Sequence, residues 1–165
     1  MSAPLELPAD TRARLDVWRA AGDRIVFTNG VYDLLHRGHA EYLEEARALG
    51  DRLVVGVNAD ASVRRLKGAG RPIVPAADRR ALVAALACVD LAILFEDDTP
   101  LRLIEAVRPD VLVKGADWEL DAIVGREFVE GRGGRVARIP LRPGLSTSTL
   151  VRRIREERSA LDPWD

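Results

Sequence analysis

The segment from 24 to 49 constrains the fold more than any other part of this 165-residue chain. The apolar run at 24–27 is typical of a buried strand, and residues 40–49 have the composition and period of a helix that Gly50 ends. Between them the chain turns at Gly30, so a strand passes directly into a helix that begins near His39. In open α/β sheets such a junction lies outside the carboxyl end of the first strand, where ligands bind.

Strand-like and helical segments alternate along the rest of the chain. Apolar runs predict four further strands at 52–58, 90–95, 110–113 and 135–139, and helical patterns predict helices at 10–21, 59–66, 78–87, 99–107, 123–130 and 144–159. This alternation favours a parallel sheet covered by helices on both faces. We therefore predict an α/β, Rossmann-like three-layer sandwich with a five-stranded parallel sheet. Residues 1–21 would form an N-terminal helix and lead-in, residues 22–158 the main domain, and residues 159–165 a tail.

The composition excludes several classes of function. Twenty-five basic residues stand against 26 acidic ones, and this balance gives no electrostatic signal for nucleic acid or a membrane surface. No apolar run approaches the roughly 20 residues that span a bilayer, and the first residues lack the pattern of a signal peptide. The one cysteine, Cys88, has the apolar neighbours of a packed, inert thiol. We expect a cytoplasmic protein that binds neither nucleic acid nor a membrane.

Both histidines of the chain lie in the strand-to-helix junction, three residues apart. If both are helical, His36 and His39 project to the same side about 5–6 Å apart, which suits two donors to neighbouring oxygens of one polyphosphate. Gly30 and Gly38 allow the backbone to approach a ligand closely. Asp33 either binds amides of the tight turn or orients a neighbouring cation, and we favour the structural role. The pattern predicts a phosphate site at the positive end of a helix.

Three other interpretations of this segment remain open. Two histidines at a turn are often no more than surface residues. A zinc site needs more ligands than two histidines and one buried-looking cysteine supply. A Ser/His/Asp triad is conceivable, but the chain has no Gly-x-Ser-x-Gly elbow. We consider these interpretations weaker because the glycines, the aspartate and the histidines occur together at the predicted end of a strand.

A second motif, Gly144–Thr149, places four hydroxyl residues at the start of the last predicted helix. One hydroxyl suffices to cap a helix, whereas several hydroxyls beside unpaired first-turn amides can bind phosphate. Because this helix follows a fifth parallel strand, it should open on the same edge of the sheet as the histidines. Cations at predicted strand ends or loops are further candidates: Lys67, Arg71, Arg79 (preferred over Arg80), Lys114 and Arg142.

These motifs resemble those of a nucleotidyltransferase superfamily, in its cytidylyltransferase-like branch. The first signature of that superfamily, His-x-Gly-His, stands here at 36–39 after the lead-in 29–33, and its hydroxyl motif stands at 145–148. The match spans about 22–156. More narrowly, the segments 66–73, 95–100 and 108–118 resemble the adenylyltransferase half of the bacterial bifunctional heptose enzymes, without a counterpart of the sugar-kinase half. Two departures are Ala116, where a second glycine is expected, and Arg142, which is more usual in glycerol-phosphate cytidylyltransferases.

The resemblance implies a function and a set of site residues. It implies the transfer of AMP from ATP to D-glycero-D-manno-heptose 1-phosphate, with Mg²⁺ carried by ATP rather than by a dedicated metal site, and with a homodimer as the assembly. The expected catalytic residues are His36, His39, Lys67, Ser146 and Thr147. The expected nucleotide contacts are Thr28, Asn29, Gly30, Tyr32, Asp33, Gly38, Arg71, Arg79 and Ser148. The expected sugar-phosphate contacts are Lys114, on the acceptor side, with Gly115, Asp117, Trp118 and Arg142.

Two alternatives to this function remain. A glycerol 3-phosphate cytidylyltransferase, or another small-phosphate adenylyltransferase of the same fold, shares the phosphate motifs and differs in its pocket. A non-catalytic nucleotide-binding module keeps the fold but is expected to lose a histidine or the hydroxyl motif. Because both motifs are present, we favour an enzyme.

Overall fold

The computed structural model describes residues 5–161, which form one parallel sheet with helices on both faces. The strands are β1 Ile25–Gly30, β2 Arg52–Asn58, β3 Leu91–Phe95, β4 Val111–Gly115 and β5 Arg135–Ile139. The helices are α1 Ala9–Ala20, α2 Arg37–Arg47, α3 Asp60–Lys67, α4 Ala76–Ala84, α5 Leu101–Val107, α6 Arg126–Gly131 and α7 Thr147–Leu161, with a 3₁₀ turn at Leu120–Ala122. The predicted α/β sandwich and its five parallel strands are confirmed. The end of the predicted tail, 162–165, lies outside the described residues.

The strand order is β3-β2-β1-β4-β5. The second and third strands are therefore added on one side of β1, and β4 and β5 are added on the other side of β1. Such a reversal is a topological switch point, the usual place for a ligand crevice in open α/β sheets. β1 pairs with β2 along its whole length, whereas its register with β4 covers only Val26 and Phe27. The carboxyl end of β1 is therefore unpaired on the β4 side, where a crevice can open.

Alternating residues of each strand face opposite sides of the sheet and build two hydrophobic layers. Phe27 packs on one side with Leu103 and Leu112, and Val26 on the other with Leu43 and Val83; all six side chains are buried. Cys88 packs at the edge of the second layer, and burial raises the pKa of its thiol. Among residues 5–161 no helix is both long and apolar enough to cross a membrane.

All seven helices begin one to three residues away from their predicted starts, and α2, α7 and α4 are examples. α2 begins at Arg37, with His36 as an extended N-cap residue, and α7 begins at Thr147. α4 begins at Ala76, where Pro75 occupies the N-cap position, rather than at Asp78. A pattern of apolar residues does not report the exact residue at which the backbone enters a helix, and helix ends are the least sharply defined part of the element.

Candidate active site

A cleft of about 680 Å³ opens at the carboxyl ends of β1, β2 and β4, over the switch point. Both sequence motifs line it, together with residues from the loops that follow α3 and β4. Of the predicted site residues, all but Thr28 and Arg79 line this cleft. The topology thus brings together side chains that are more than 100 positions apart in the sequence, such as His36 and Ser146.

The two imidazoles form a stacked pair at the start of α2. Their ring centroids are 3.9 Å apart and their planes differ by 20°. His36 has extended backbone (φ −142°, ψ 170°) and precedes the first turn of α2, so the condition that both histidines are helical is not met. The amide of His39 donates to the carbonyl of His36 at 2.9 Å, which fixes the pair against the helix N-terminus. A Cβ on Gly38 would lie 3.0 Å from the His36 ring, so a glycine here makes room for the imidazole.

Burial keeps this pair uncharged near neutral pH. Burial, and then the charge of His36, lower the pKa of His39 to about 4, and burial also lowers the pKa of His36. The Nδ1 atoms of both rings are buried and have no hydrogen-bond partner within the described part of the chain. Buried polar atoms normally have partners, so two unpaired imidazole nitrogens side by side mark this pair as a candidate functional site.

Asp33 ties the glycine-rich loop after α3 to the turn that precedes the histidines. Its fully buried carboxylate accepts hydrogen bonds from Arg71 Nε at 2.6 Å and from the amides of Ile73 and Val74 at 2.8 and 2.9 Å. Burial alone would raise the pKa of Asp33, but the amide bonds and Arg71 together lower it. The amides lie on the loop rather than in the turn, and Arg71 is the neighbouring cation. The carboxylate is thus saturated by protein groups, which supports the structural role over a direct nucleotide contact.

Arg79 and Thr28 do not reach the cleft, which corrects the expectation that they contact the nucleotide. Both are fully buried. The guanidinium of Arg79 donates to the carbonyls of Val31 and Val74 and to Asp60, and Thr28 Oγ1 shares a hydrogen bond of 2.9 Å with Tyr42 Oη. These partners enclose both side chains. Sequence position could not reveal this, since a cation in the first turns of a helix can face either the cleft or the core.

Lys114 crosses the opening between β1 and β4. It is buried, and its ammonium group donates to Asn29 Oδ1 at the unpaired end of β1. Its Nζ lies 5.8 Å from the centroid of the half-exposed Trp118 ring. Burial lowers the pKa of Lys114 to about 8, so the group is still largely charged at neutral pH. A desolvated cation of this kind interacts strongly with a phosphate that enters the cleft.

The hydroxyl motif lies against the histidine motif across the cleft. The amide of Thr149 donates to Ser146 Oγ at 3.0 Å, so Ser146 caps α7. That leaves Thr147 and Ser148, which also line the cleft, as hydroxyls beyond the need of a cap. Arg142 forms an ion pair with Glu41 of α2 and lowers the pKa of that carboxyl, and the pair links the two motifs. Lys67, the last residue of α3, is exposed at the cleft.

Within residues 5–161, no group of three or more histidine, cysteine or acidic side chains could hold a metal ion. Besides the carboxylates of Asp33, Asp98 and Asp117, the side chains that line the cleft include hydrogen-bond donors and cations, the groups that bind phosphates.

The comparisons with known proteins agree with this geometry. The model of the cytidylyltransferase-like family matches residues 27–154, more than half of the chain. The chain belongs to the cytidylyltransferase-like family.

The proteins most similar to this cytidylyltransferase-like chain include two named bifunctional protein HldE. That of Acidiphilium cryptum is 61% identical over 138 residues, which cover 84% of this chain and 28% of the relative. The protein from Magnetococcus marinus is 55% identical over 146 residues, which cover 88% of this chain and 30% of the relative. The matched region thus spans less than a third of either relative. Together with the family match, these similarities identify the chain as a nucleotidyltransferase, as the sequence predicts.

Solved structures share the fold of this cytidylyltransferase-like chain. A lipopolysaccharide core biosynthesis protein of Thermoplasma volcanium is 34% identical with a TM-score of 0.64, covering 73% of this chain and 99% of that one. A pantothenate synthetase of Thermus thermophilus has a TM-score of 0.51 at 22% identity, with 78% of this chain and 59% of that one covered, and shows the shared fold alone.

The cleft of this cytidylyltransferase-like chain also contains polar residues that sequence reasoning missed. Tyr42, Asn58, Asp98 and Thr99 all line it. Tyr42 lies one helical turn after His39, and Asn58 is the last residue of β2, so both had a positional signal. Asp98 and Thr99 follow β3 in a loop, and they had only the resemblance of their segment to the heptose enzymes as a signal.

Proposed function

We propose that this nucleotidyltransferase transfers AMP from ATP to D-glycero-D-manno-heptose 1-phosphate, giving ADP-heptose and pyrophosphate. The observation that carries the proposal is the convergence of the stacked His36–His39 pair, the hydroxyls at the start of α7 and Lys114 on one cleft. The choice of substrates rests on the similarity to the HldE proteins and to a lipopolysaccharide core biosynthesis protein, and on the resemblance of 66–73, 95–100 and 108–118 to heptose adenylyltransferases.

In this reaction an oxygen of the sugar 1-phosphate attacks the α-phosphorus of ATP. The new bond joins the two phosphates of ADP-heptose, and the bond from the α-phosphorus to the bridging oxygen breaks, with pyrophosphate as leaving group. No side chain has to form a covalent intermediate. Catalysis then consists of holding the two phosphates in line and stabilising the charge that develops in the transition state.

The chain's own residues can supply this stabilisation. The neutral imidazoles of His36 and His39 each carry one N–H donor, and their position at the N-terminus of α2 favours an anion. Thr147 and Ser148 lie at the N-terminus of α7, where hydroxyls and free amides suit the leaving pyrophosphate. Lys67 adds charge to the triphosphate, and Lys114 adds it beside Asn29. Mg²⁺ is expected to enter as part of the ATP substrate.

We also propose a homodimer that works in the cytoplasm, where ATP is available. The large hydrophobic residues left exposed include Ile73 at 51%, Leu82 at 50% and Leu94 at 36%, which lie on the loop before α4, on α4 and on β3. Their neighbours Val83 and Val89 are buried in the core. The exposed side chains are the ones that a second copy could cover.

A screen of pyrophosphate release tests the function. It crosses the four ribonucleoside triphosphates with heptose 1-phosphate, glycerol 3-phosphate and hexose 1-phosphates. We expect the fastest turnover with ATP and the heptose phosphate. Arg142 at the cleft favours glycerol 3-phosphate and CTP as the second candidate pair, and faster turnover with that pair would overturn the choice of substrates but leave the reaction class intact.

A further inference from the structure

The turn between β1 and α2 has a strained backbone. Tyr32 adopts φ 51°, and among the described residues only Arg108 is another non-glycine residue with positive φ. An aromatic residue in this region is disfavoured and persists only where its surroundings hold it. Tyr32 lies between β1 and the histidines, so the groups that hold its conformation also decide where the imidazoles lie.

Arg79 is one of those groups. It reaches the turn from α4 and donates from Nη1 to the carbonyl of Val31, directly before Tyr32, at 2.6 Å. Its Nε donates to the carbonyl of Val74 at 2.8 Å, and its Nη2 to Asp60 at the start of α3 at 2.8 Å. One buried guanidinium thus braces three segments of chain. Few side chains other than arginine can satisfy three such acceptors, because its donors form a rigid planar fork.

The loop braced by Arg79 also holds the other side of Tyr32. The amides of Ile73 and Val74 donate to Asp33, the residue directly after Tyr32. Of the two neighbours of the strained residue, Val31 is therefore bound to Arg79 and Asp33 to the segment 73–74. Loss of Arg79 would free the Val31 carbonyl and loosen the loop at once.

The turn between β1 and α2 also positions the two histidines. The buried Tyr32 ring packs edge-on against His39, with centroids 5.3 Å apart and planes at 63°. His39 stacks on His36 at 3.9 Å. On its other side, the Tyr32 ring lies 3.0 Å from where a Cβ of Gly30 would be, so it has little room to shift. A continuous series of contacts runs from Arg79 through the turn to both imidazoles.

We propose that Arg79 is a positioning residue: it fixes the strained turn at Tyr32 and thereby holds the imidazole pair in place. It acts without touching the substrate. The kinetic part of this proposal rests on the proposed nucleotidyl transfer, whereas its structural part, the placement of the two rings, can be measured without any substrate.

Proton NMR of the full chain tests the structural part, because the chain has only two histidines and their ring signals can be assigned by replacing each in turn. His39 packs against the Tyr32 ring and stacks on the His36 ring, so its protons carry ring-current shifts. In Arg79→Met we expect both imidazoles to lose much of these shifts. Arg80→Met, a change at the exposed next residue of the same helix, should leave the spectrum unchanged.

A second control separates positioning from general destabilisation. Leu15→Ala removes a buried side chain of α1 in the opposite hydrophobic layer, so it lowers the melting temperature without a contact to the turn. It should leave the histidine signals in place. If Arg79→Met does not fold, Asp60→Ala removes one of the three acceptors of Arg79, and we expect the same change in smaller measure.

Kinetics complete the test. A displacement of about 1 Å at the reacting groups can cost about a hundredfold in rate, so we expect turnover of Arg79→Met to fall by about 10- to 100-fold, with less than about a threefold change in the KM for ATP. Arg79→Lys should not restore it, because one ammonium group cannot replace the fork. Histidine signals that match the wild type in folded Arg79→Met, or that move equally in Leu15→Ala, would overturn the proposal. If the histidine signals of Arg79→Met are displaced but the wild-type chain is inactive with every nucleotide tested, the proposed function alone is refuted.

Discussion

Acidification should destabilise this protein through His39, because its imidazole is neutral in the folded chain and takes up a proton on unfolding. Burial, with the charge of His36 as a second cause, lowers the folded pKa to about 4, whereas an unfolded histidine titrates near 6.5. Between these values the unfolded state binds more protons than the folded state. The free energy of unfolding must then fall as the pH drops from about 6.5 towards about 4.

The size of the effect follows from the difference between the two pKa values. With a folded pKa of about 4, one histidine costs about 2 kcal/mol of unfolding free energy between pH 7 and pH 5. The ring is partly exposed at the cleft, and solvent screening reduces this to about 1 kcal/mol. His36, whose pKa burial also lowers, adds to the loss in the same direction.

Urea unfolding of the wild type and of His39→Gln at pH 7, 6 and 5 measures the effect, since glutamine is polar but does not titrate there. Carboxylates that titrate near pH 5 are the same in both proteins, so they cancel in the difference. We expect the wild type to lose about 1 kcal/mol more than the variant over this range. Parallel stability curves for the two proteins would refute the claim that His39 is held neutral by its surroundings.

Three further results are expected. Replacing His39 by Ala should lower turnover by about 10²–10³-fold in steady-state assays, with a much smaller change in ATP affinity, since the contact of His39 with the phosphate strengthens mainly in the transition state. A variant that keeps more than about a tenth of wild-type turnover would contradict this role. Gly50→Ala should lower the unfolding free energy by about 1–3 kcal/mol in a urea titration, because its Cβ would lie 2.7 Å from the Arg24 carbonyl and from Val26. The control is Gly131→Ala: a Cβ there meets nothing within 4 Å, so this variant should be neutral or slightly stabilising. Light scattering at micromolar concentration should give a mass near twice the 18.1 kDa of one chain, and a mass near 18.1 kDa would remove the proposed dimer.

The sequence predicts the fold well because its signals are local and agree with one another. Each strand is a short apolar run with turn residues on both sides, and each is separated from the next by a helical pattern, so the parallel sheet follows. The order of the strands is not a local property. Nothing in 111–115 alone indicates that β4 returns to pair with β1, and that pairing opens the cleft.

The candidate site was partly predictable for the same reason. The histidines, the hydroxyl motif and Lys114 follow strands, and the carboxyl ends of parallel strands meet at one edge, so their convergence could be expected. The direction of a long side chain could not. Arg71 and Arg79 are both cations near a glycine-rich loop, yet one lines the cleft while bound to Asp33 and the other is buried beneath the turn. Only the packing of α4 and of the loop decides between these positions.

The most direct measurement of the central claim is the phosphorus NMR spectrum of a reaction that contains this chain, Mg·ATP and D-glycero-D-manno-heptose 1-phosphate. We predict that the signals of the sugar phosphate and of ATP disappear together, and that a coupled pair of diphosphate-diester signals and one pyrophosphate signal replace them in equal amounts. ADP with inorganic phosphate as the products, or an unchanged sugar-phosphate signal while ATP is consumed, would contradict nucleotidyl transfer to this acceptor.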